Sequence, residues 1–171
     1  LIVGEPYRRT RFFEAWLNPQ ADASGAGYQL IQGLIAIGSG GWAGLGLGSS
    51  RAKWDFLPNA HSDFIFAVIA EELGLIGASA ILICFGVIAW RGMRTAARAP
   101  DSFGAFLALG ITMMLVLQAF VNISVVLGLM PTKGIPLPLV SNGGSSMLIN
   151  LLGVGVLLNI SQHQQVETGA A

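Results

Sequence analysis

Apolar residues in this chain come in long runs. Phe64 to Trp90 is broken only by the Glu71–Glu72 pair, and Phe103 to Gly128 carries no formal charge. Either is long enough to span a bilayer, which takes about 20 apolar residues. Two weaker runs flank them: Tyr28 to Gly48, rich in glycine, and Met147 to Ile160, which is short. The pattern predicts an all-α polytopic membrane protein of about four transmembrane helices, at 28–48, 64–90, 103–128 and 147–160. Composition agrees. Of 171 residues, 53% are hydrophobic and 11% charged, with mean hydropathy +0.66, whereas a soluble domain carries about 25% charged residues.

Basic residues give the orientation, because they favour the cytoplasmic side. Six arginines (Arg8, Arg9, Arg11, Arg91, Arg94 and Arg98) fall on one side of this pattern, and Arg51, Lys53 and Lys133 on the other. Segment 1–27 and the tail from Ser161 are therefore expected inside, and loops 49–63 and 129–146 outside. Tyr7, Phe12, Phe13 and Trp16, mixed with arginines, suit either a segment lying at the inner interface or a plain basic loop. The chain opens on Leu1 without a signal-peptide pattern, so it reads as a piece of a longer protein whose remainder lies upstream. A net charge of zero argues against nucleic acid as a partner. The sole cysteine, Cys84, allows no internal disulfide.

The outer loops collect the unusual residues. The first holds Arg51, Lys53, Asp55, His61 and, at its edge, Asp63. The second holds Lys133, Pro131, Pro136, Pro138 and the run Ser141–Ser146, SNGGSS. Its prolines and glycines predict defined turns or a dip into the membrane, which irregular backbone survives only against protein or water. Asp63 sits where loop meets membrane and could reach both water and a lipid-borne substrate. A helix N-cap at Ser62 or Asp63 is the alternative. A carboxylate inside a span costs at least about 2.5–3.5 kcal/mol unless protonated or paired, so Glu71 and Glu72 are either structural acids bonded to a neighbouring helix or part of a site. On a helix from Asp63, Glu71 would lie about 12 Å deeper and within about 80° of Asp63, with Glu72 within about 20° of His61. Gly40, Gly44 and Gly48 have the small-xxx-small spacing of packed membrane helices, and the run lacks the Gly-Lys-Ser/Thr of a phosphate loop. Gln118 and Asn122 read as structural amides bonding across helices. Lys133, beside a turn exposing backbone N–H groups, suits an anion or plain solvent.

GYQLIQGLIAIGSGGWAGLGLG, WDFLPNAHSDFIFAVIAEELGLIG and VNISVVLGLMPTKGIPLPLVSNGGSSML follow one another in this order. Together they resemble the SEDS family of bacteria (FtsW, RodA and SpoVE), over about Tyr7 to Ile160. The lysine of PTKG is typical of the FtsW branch. The resemblance implies the last four of ten spans. It also implies a peptidoglycan glycosyltransferase that polymerises lipid II at the outer face of the plasma membrane during septal division. By residue match, Asp63 of H-S-D-F is the family's essential aspartate, and Asp55 and Lys133 fall on positions tied to activity. Arg51, Lys53, His61 and Ser141 are further candidates for binding substrate, with Glu71 and Glu72 in support. A divalent cation, magnesium or manganese, is the one cofactor expected. The partners implied are lipid II, membrane lipid, a class B penicillin-binding transpeptidase and other division proteins. Asn142 replaces the family's usual tyrosine before Gly-Gly, and Asn59 the usual glutamate of LPEAH. Two rival functions remain at this stage: a lipid II flippase and a non-catalytic division scaffold.

Overall fold

The computed structural model describes residues 26–49, 63–131 and 134–163. Among them are four helices and no strand: α1 (Ala26–Gly40), α2 (Ile65–Ala97), α3 (Ser102–Val126) and α4 (Gly144–Gln162). The architecture is all-α, as the apolar runs predict. Helices α2, α3 and α4 are each long and apolar enough to cross a membrane. Polarity is distributed as a lipid solvent requires. Leu75, Ile76, Ile83, Phe103 and Phe106 point outward, whereas Glu71, Thr112, Asn122, Ser124 and Ser141 are buried. Polar groups inside a bundle find partners there that hydrocarbon cannot offer.

Local chemistry sets the helix ends. Pro100 follows the end of α2, and Asp101 caps α3 by accepting from the Gly104 N–H at 2.9 Å. At the far end of α3, Gly128 has φ 75°. Its N–H donates to the Val125 carbonyl at 3.0 Å, and the Leu129 N–H to the Ser124 carbonyl at 2.8 Å. This pairing is a Schellman motif, which satisfies the last carbonyls of the helix. Between the ends, α2 and α3 approach closely where Gly92 faces Thr112, whose hydroxyl donates back to the Ala108 carbonyl at 2.7 Å.

The first run is not one continuous helix. Helix α1 stops at Gly40 after 15 residues, about 22 Å at 1.5 Å per residue, short of a hydrocarbon core of about 30 Å. The chain then turns through Gly41, Gly44, Gly46 and Gly48, all at positive φ. Opposite this turn α2 is itself broken, at Gly74 (φ 65°, ψ −160°). The two breaks satisfy each other. The N–H groups of Leu45 and Gly46 donate to the carbonyls of Glu71 and Glu72, both at 3.0 Å. Those of Leu75 and Ile76 donate to the carbonyls of Gly41 and Trp42 at 2.9 and 3.4 Å. Backbone groups freed by a broken membrane helix must be paired within the protein, and here they pair with one another. The small-xxx-small reading of the glycines is thus half right. A side chain on Gly40 or Gly44 would run into the Ala70 or Glu72 carbonyl, but a Cβ added at Gly48 would meet nothing within 4 Å among the described residues. The close approach is a loop against a helix, not a stripe along one helix.

The buried apolar cluster runs along α2 as far as Phe85 and includes the start of that helix. Phe64, Phe66 and Ala67 beside α2's start join Ala36 of α1, Ile123 and Val126 of α3, and Leu137 of the α3–α4 connection. The residue immediately before Phe64 is Asp63.

Candidate functional site

Helix α2 takes Phe64, not Ser62 or Asp63, as its N-cap, and Phe64 offers no side-chain cap bond. Asp63 stands one residue further out and is half-buried. Its carboxylate lies against the second loop. A methyl group placed on Gly134 would sit 2.8 Å from Asp63 Oδ2 and 3.6 Å from Cγ. Gly134 is the last residue of Pro-Thr-Lys-Gly, so the aspartate of the first loop meets the backbone next to Lys133 of the second.

Asn122 holds this junction. Its Nδ2 donates to the Asp63 carbonyl at 2.9 Å and to the Ile135 carbonyl at 2.6 Å. One amide near the end of α3 thus ties together two loops that are far apart in sequence. One turn back along α3, Gln118 Nε2 donates to the Pro136 carbonyl at 3.0 Å. Gln118 lies about 12 Å before Val126 along the helix axis, so the segment after Gly134 folds back beside α3. It turns at Leu137–Val140, where Pro138 is followed by Leu139 at φ 62°, the backbone sign of a type II turn normally given to glycine. The Val140 N–H closes this turn on the Leu137 carbonyl at 3.4 Å, and the Ser141 N–H donates to the same carbonyl at 3.0 Å. The two amides do bond away from their own helix, but their partners are loop carbonyls, not a neighbouring helix.

Ser141 is buried at the end of this turn. It borders an open groove of about 820 Å³ that runs down α4 past Met147 and Leu151. Glu71 is 3% exposed. Glu72 Oε1 is buried and has no hydrogen-bond partner among the described residues. The backbones of both glutamates brace the α1 turn, a role that their side-chain chemistry does not announce. Arg51, Lys53, Asp55, His61 and Lys133 lie outside the described residues. No three histidine, cysteine, aspartate or glutamate side chains converge among the described residues.

Removing the Asn122 amide takes a donor from two inward carbonyls. Asn122→Ala is expected to cost about 2–6 kcal/mol of stability, from about 1–3 kcal/mol for each carbonyl that loses its donor. Thermal unfolding of the purified protein checks it. An unchanged midpoint would mean that the loops hold themselves.

Residues 1–166 match the model of a family described as cell cycle protein, that of FtsW, RodA and SpoVE. The chain belongs to this family. Stage V sporulation protein E of Bacillus subtilis (strain 168) is 50% identical over 165 residues, 96% of this chain and 45% of that protein. A probable peptidoglycan glycosyltransferase FtsW of Hahella chejuensis is 52% identical over 166 residues, 95% of this chain and 42% of the relative. The chain thus spans less than half the length of these FtsW/RodA/SpoVE relatives. Solved structures agree in fold. A chain from a peptidoglycan synthase complex that coordinates polymerization and crosslinking has a TM-score of 0.72 at 31% identity, over 95% of this chain and 44% of its own. RodA of Thermus thermophilus, solved as an aspartate-to-alanine mutant, has a TM-score of 0.60 at 33% identity, over 79% and 41%. The multi-pass membrane architecture is that of FtsW/RodA/SpoVE proteins.

Proposed function

We propose that this chain supplies the aspartate-bearing half of a peptidoglycan glycosyltransferase that polymerises lipid II at the outer face of the plasma membrane in septal division. Membership of the family supports the reaction class, and the relative from Hahella chejuensis with that enzyme name supports it further. The observation that carries the proposal is the junction of Asp63 with Gly134, held by Asn122. It joins an acid to a loop that also bears a lysine, at an end of the bundle that both water and a membrane-borne substrate can reach.

In the reaction, a sugar 4-hydroxyl attacks the anomeric carbon of a second, α-linked unit. The bond to the lipid pyrophosphate breaks, and a β-linkage forms with one inversion. Asp63 takes the hydroxyl proton as general base, which typically contributes about 10²–10⁴ in rate. Charge then builds on the leaving pyrophosphate, and fixed cations oppose it. Lys133 supplies one, with Arg51 or Lys53 from the first loop. Asp55, His61 and Ser141 complete the substrate contacts, with Glu71 and Glu72 bracing from below. If a magnesium or manganese ion takes part, it would supply positive charge to offset that of the leaving pyrophosphate. Magnesium commonly binds through one or two carboxylates plus substrate phosphates and keeps several waters. Asp63 and Asp55 are the acids that would hold it. The partner proposed is a class B penicillin-binding transpeptidase, in keeping with the similarity to a chain of a synthase complex.

The experiment is lipid II polymerisation by the full-length protein purified with its transpeptidase. Gly134→Ala is the variant that probes the junction, because the new methyl would crowd the Asp63 carboxylate at 2.8 Å. Polymer yield is expected to fall at least about tenfold, since misplacing a reacting group by about 1 Å can cost about a hundredfold. Thermal stability should hold, since Gly134 is exposed. Wild-type activity in the variant would detach Gly134 from the site. Translocation of lipid II without any polymer, in the wild type, would favour a flippase.

A further inference from the structure

The end of α2 opposite Asp63 carries a second site. Arg91, Arg94 and Arg98 recur there every three to four residues, so they share one side of the helix. They line a cavity of about 560 Å³ enclosed by α2, α3 and α4. The hydroxyl-bearing residues Thr95 and Ser161 line it as well. Its walls turn apolar toward the interior, at Ile88, Val154, Leu157 and Leu158. It ends against Leu115 and Leu139, the residue at positive φ in the α3–α4 connection. Among the described residues, no acidic side chain lines it. The acid of the adjoining turn, Asp101, is engaged with the Gly104 N–H.

Arginine at a helix C-terminus complements the helix dipole, and arginine at a membrane edge fixes orientation. Neither role calls for a cavity, and neither explains why the charged mouth continues into an apolar interior. Trp90 gives the depth. The Arg91 and Arg94 guanidinium carbons lie 5.6 and 5.9 Å from its ring centroid. An exposed tryptophan flanked by arginines is typical of the head-group level of a bilayer. A ligand fitting this gradient has a compact anion at one end and hydrocarbon at the other.

We propose that this cavity binds the phosphate head group of an anionic phospholipid, in the leaflet opposite the Asp63 site. Guanidinium groups pair with phosphate through paired N–H donors, and an acyl chain follows Leu157 and Leu158 inward; the Ser161 hydroxyl donates to the Leu158 carbonyl at 2.7 Å and so leaves the anion to the arginines. The site is separate from the proposed glycosyl transfer and stands whether or not that reading holds.

The test is native mass spectrometry of the full-length protein, released from nanodiscs of equimolar phosphatidylglycerol and phosphatidylcholine. Wild-type protein is expected to retain phosphatidylglycerol at least tenfold over phosphatidylcholine. The triple variant Arg91→Gln, Arg94→Gln, Arg98→Gln is expected to lose that preference. Because these arginines also set orientation, a second variant keeps them. Leu158→Trp narrows the apolar wall and is expected to reduce retention at least threefold. Equal retention of the two lipids by the wild type would overturn the proposal, as would undiminished retention in Leu158→Trp. Displacement of the lipid by millimolar inorganic phosphate would overturn it too, by showing a site for a soluble anion.

Discussion

Asp63→Asn is expected to abolish glycan synthesis while leaving the protein folded. Asparagine keeps the volume of aspartate and a carbonyl oxygen where Asp63 Oδ2 faces Gly134, but it cannot accept a proton from an attacking hydroxyl. Loss of a general base typically lowers rate by about 10²–10⁴. Helix α2 should be untouched, since its N-cap is Phe64, and Asn122 bonds the main-chain carbonyl of residue 63, not its side chain. The measurement is polymer length and yield from lipid II, with copurification of the transpeptidase as the control for assembly. Equal polymer from both proteins would remove Asp63 from the chemistry and reduce it to a structural residue at the start of α2. Asp63→Glu is expected to fail as well, because one more methylene drives the carboxylate into the Gly134 backbone.

The second large effect concerns stability. Gly74→Ala is expected to destabilise the protein by at least about 3 kcal/mol, well beyond an ordinary substitution. At φ 65° and ψ −160°, Gly74 occupies a region essentially closed to other residues. An added Cβ would also lie 2.7 Å from the carbonyl carbon and oxygen of Trp42. Relief requires the breaks in α1 and α2 to separate, which exposes four backbone pairs to hydrocarbon. Gly86→Ala is the control on the same helix. Nothing lies within 4 Å of the Cβ it would add, so it is expected to be neutral or stabilising by up to about 1 kcal/mol. Unfolding curves for both variants decide it. Equal midpoints would mean that the paired breaks contribute little.

The apolar runs were legible in the sequence because they rest on residue type and order, and the four helices follow from them. The position of Asp63 just before α2 follows too, whereas Lys133 lies outside the described residues. The paired breaks were not legible. A glycine inside an apolar run, such as Gly74, carries no record of whether its φ is negative or positive. Tyr28 to Gly48 is apolar enough to look like one span, although its helix stops at Gly40. The glycine-rich run 40–48 was the available signal, and Gly40, Gly44 and Gly48 within it are spaced four apart, which suited helix packing equally well. Asn122 was hidden for another reason. Its partners depend on the paths of two loops, and residue 63 is 59 positions away in the chain. Local pattern says only that an amide in hydrocarbon needs partners, not where they are.

The reciprocal bonding of α1 and α2 also constrains how the protein is made. Until residues 71–76 have left the ribosome, the carbonyls of Gly41 and Trp42 and the N–H groups of Leu45 and Gly46 have no mates. A glycine-rich turn with open backbone groups does not settle stably in lipid by itself. The first short helix must therefore wait at the insertion machinery, or at the bilayer surface, until the first turns of the second arrive. The two then enter as a hairpin. Insertion at this point is cooperative across a pair of helices, because each supplies the backbone partners that the other lacks.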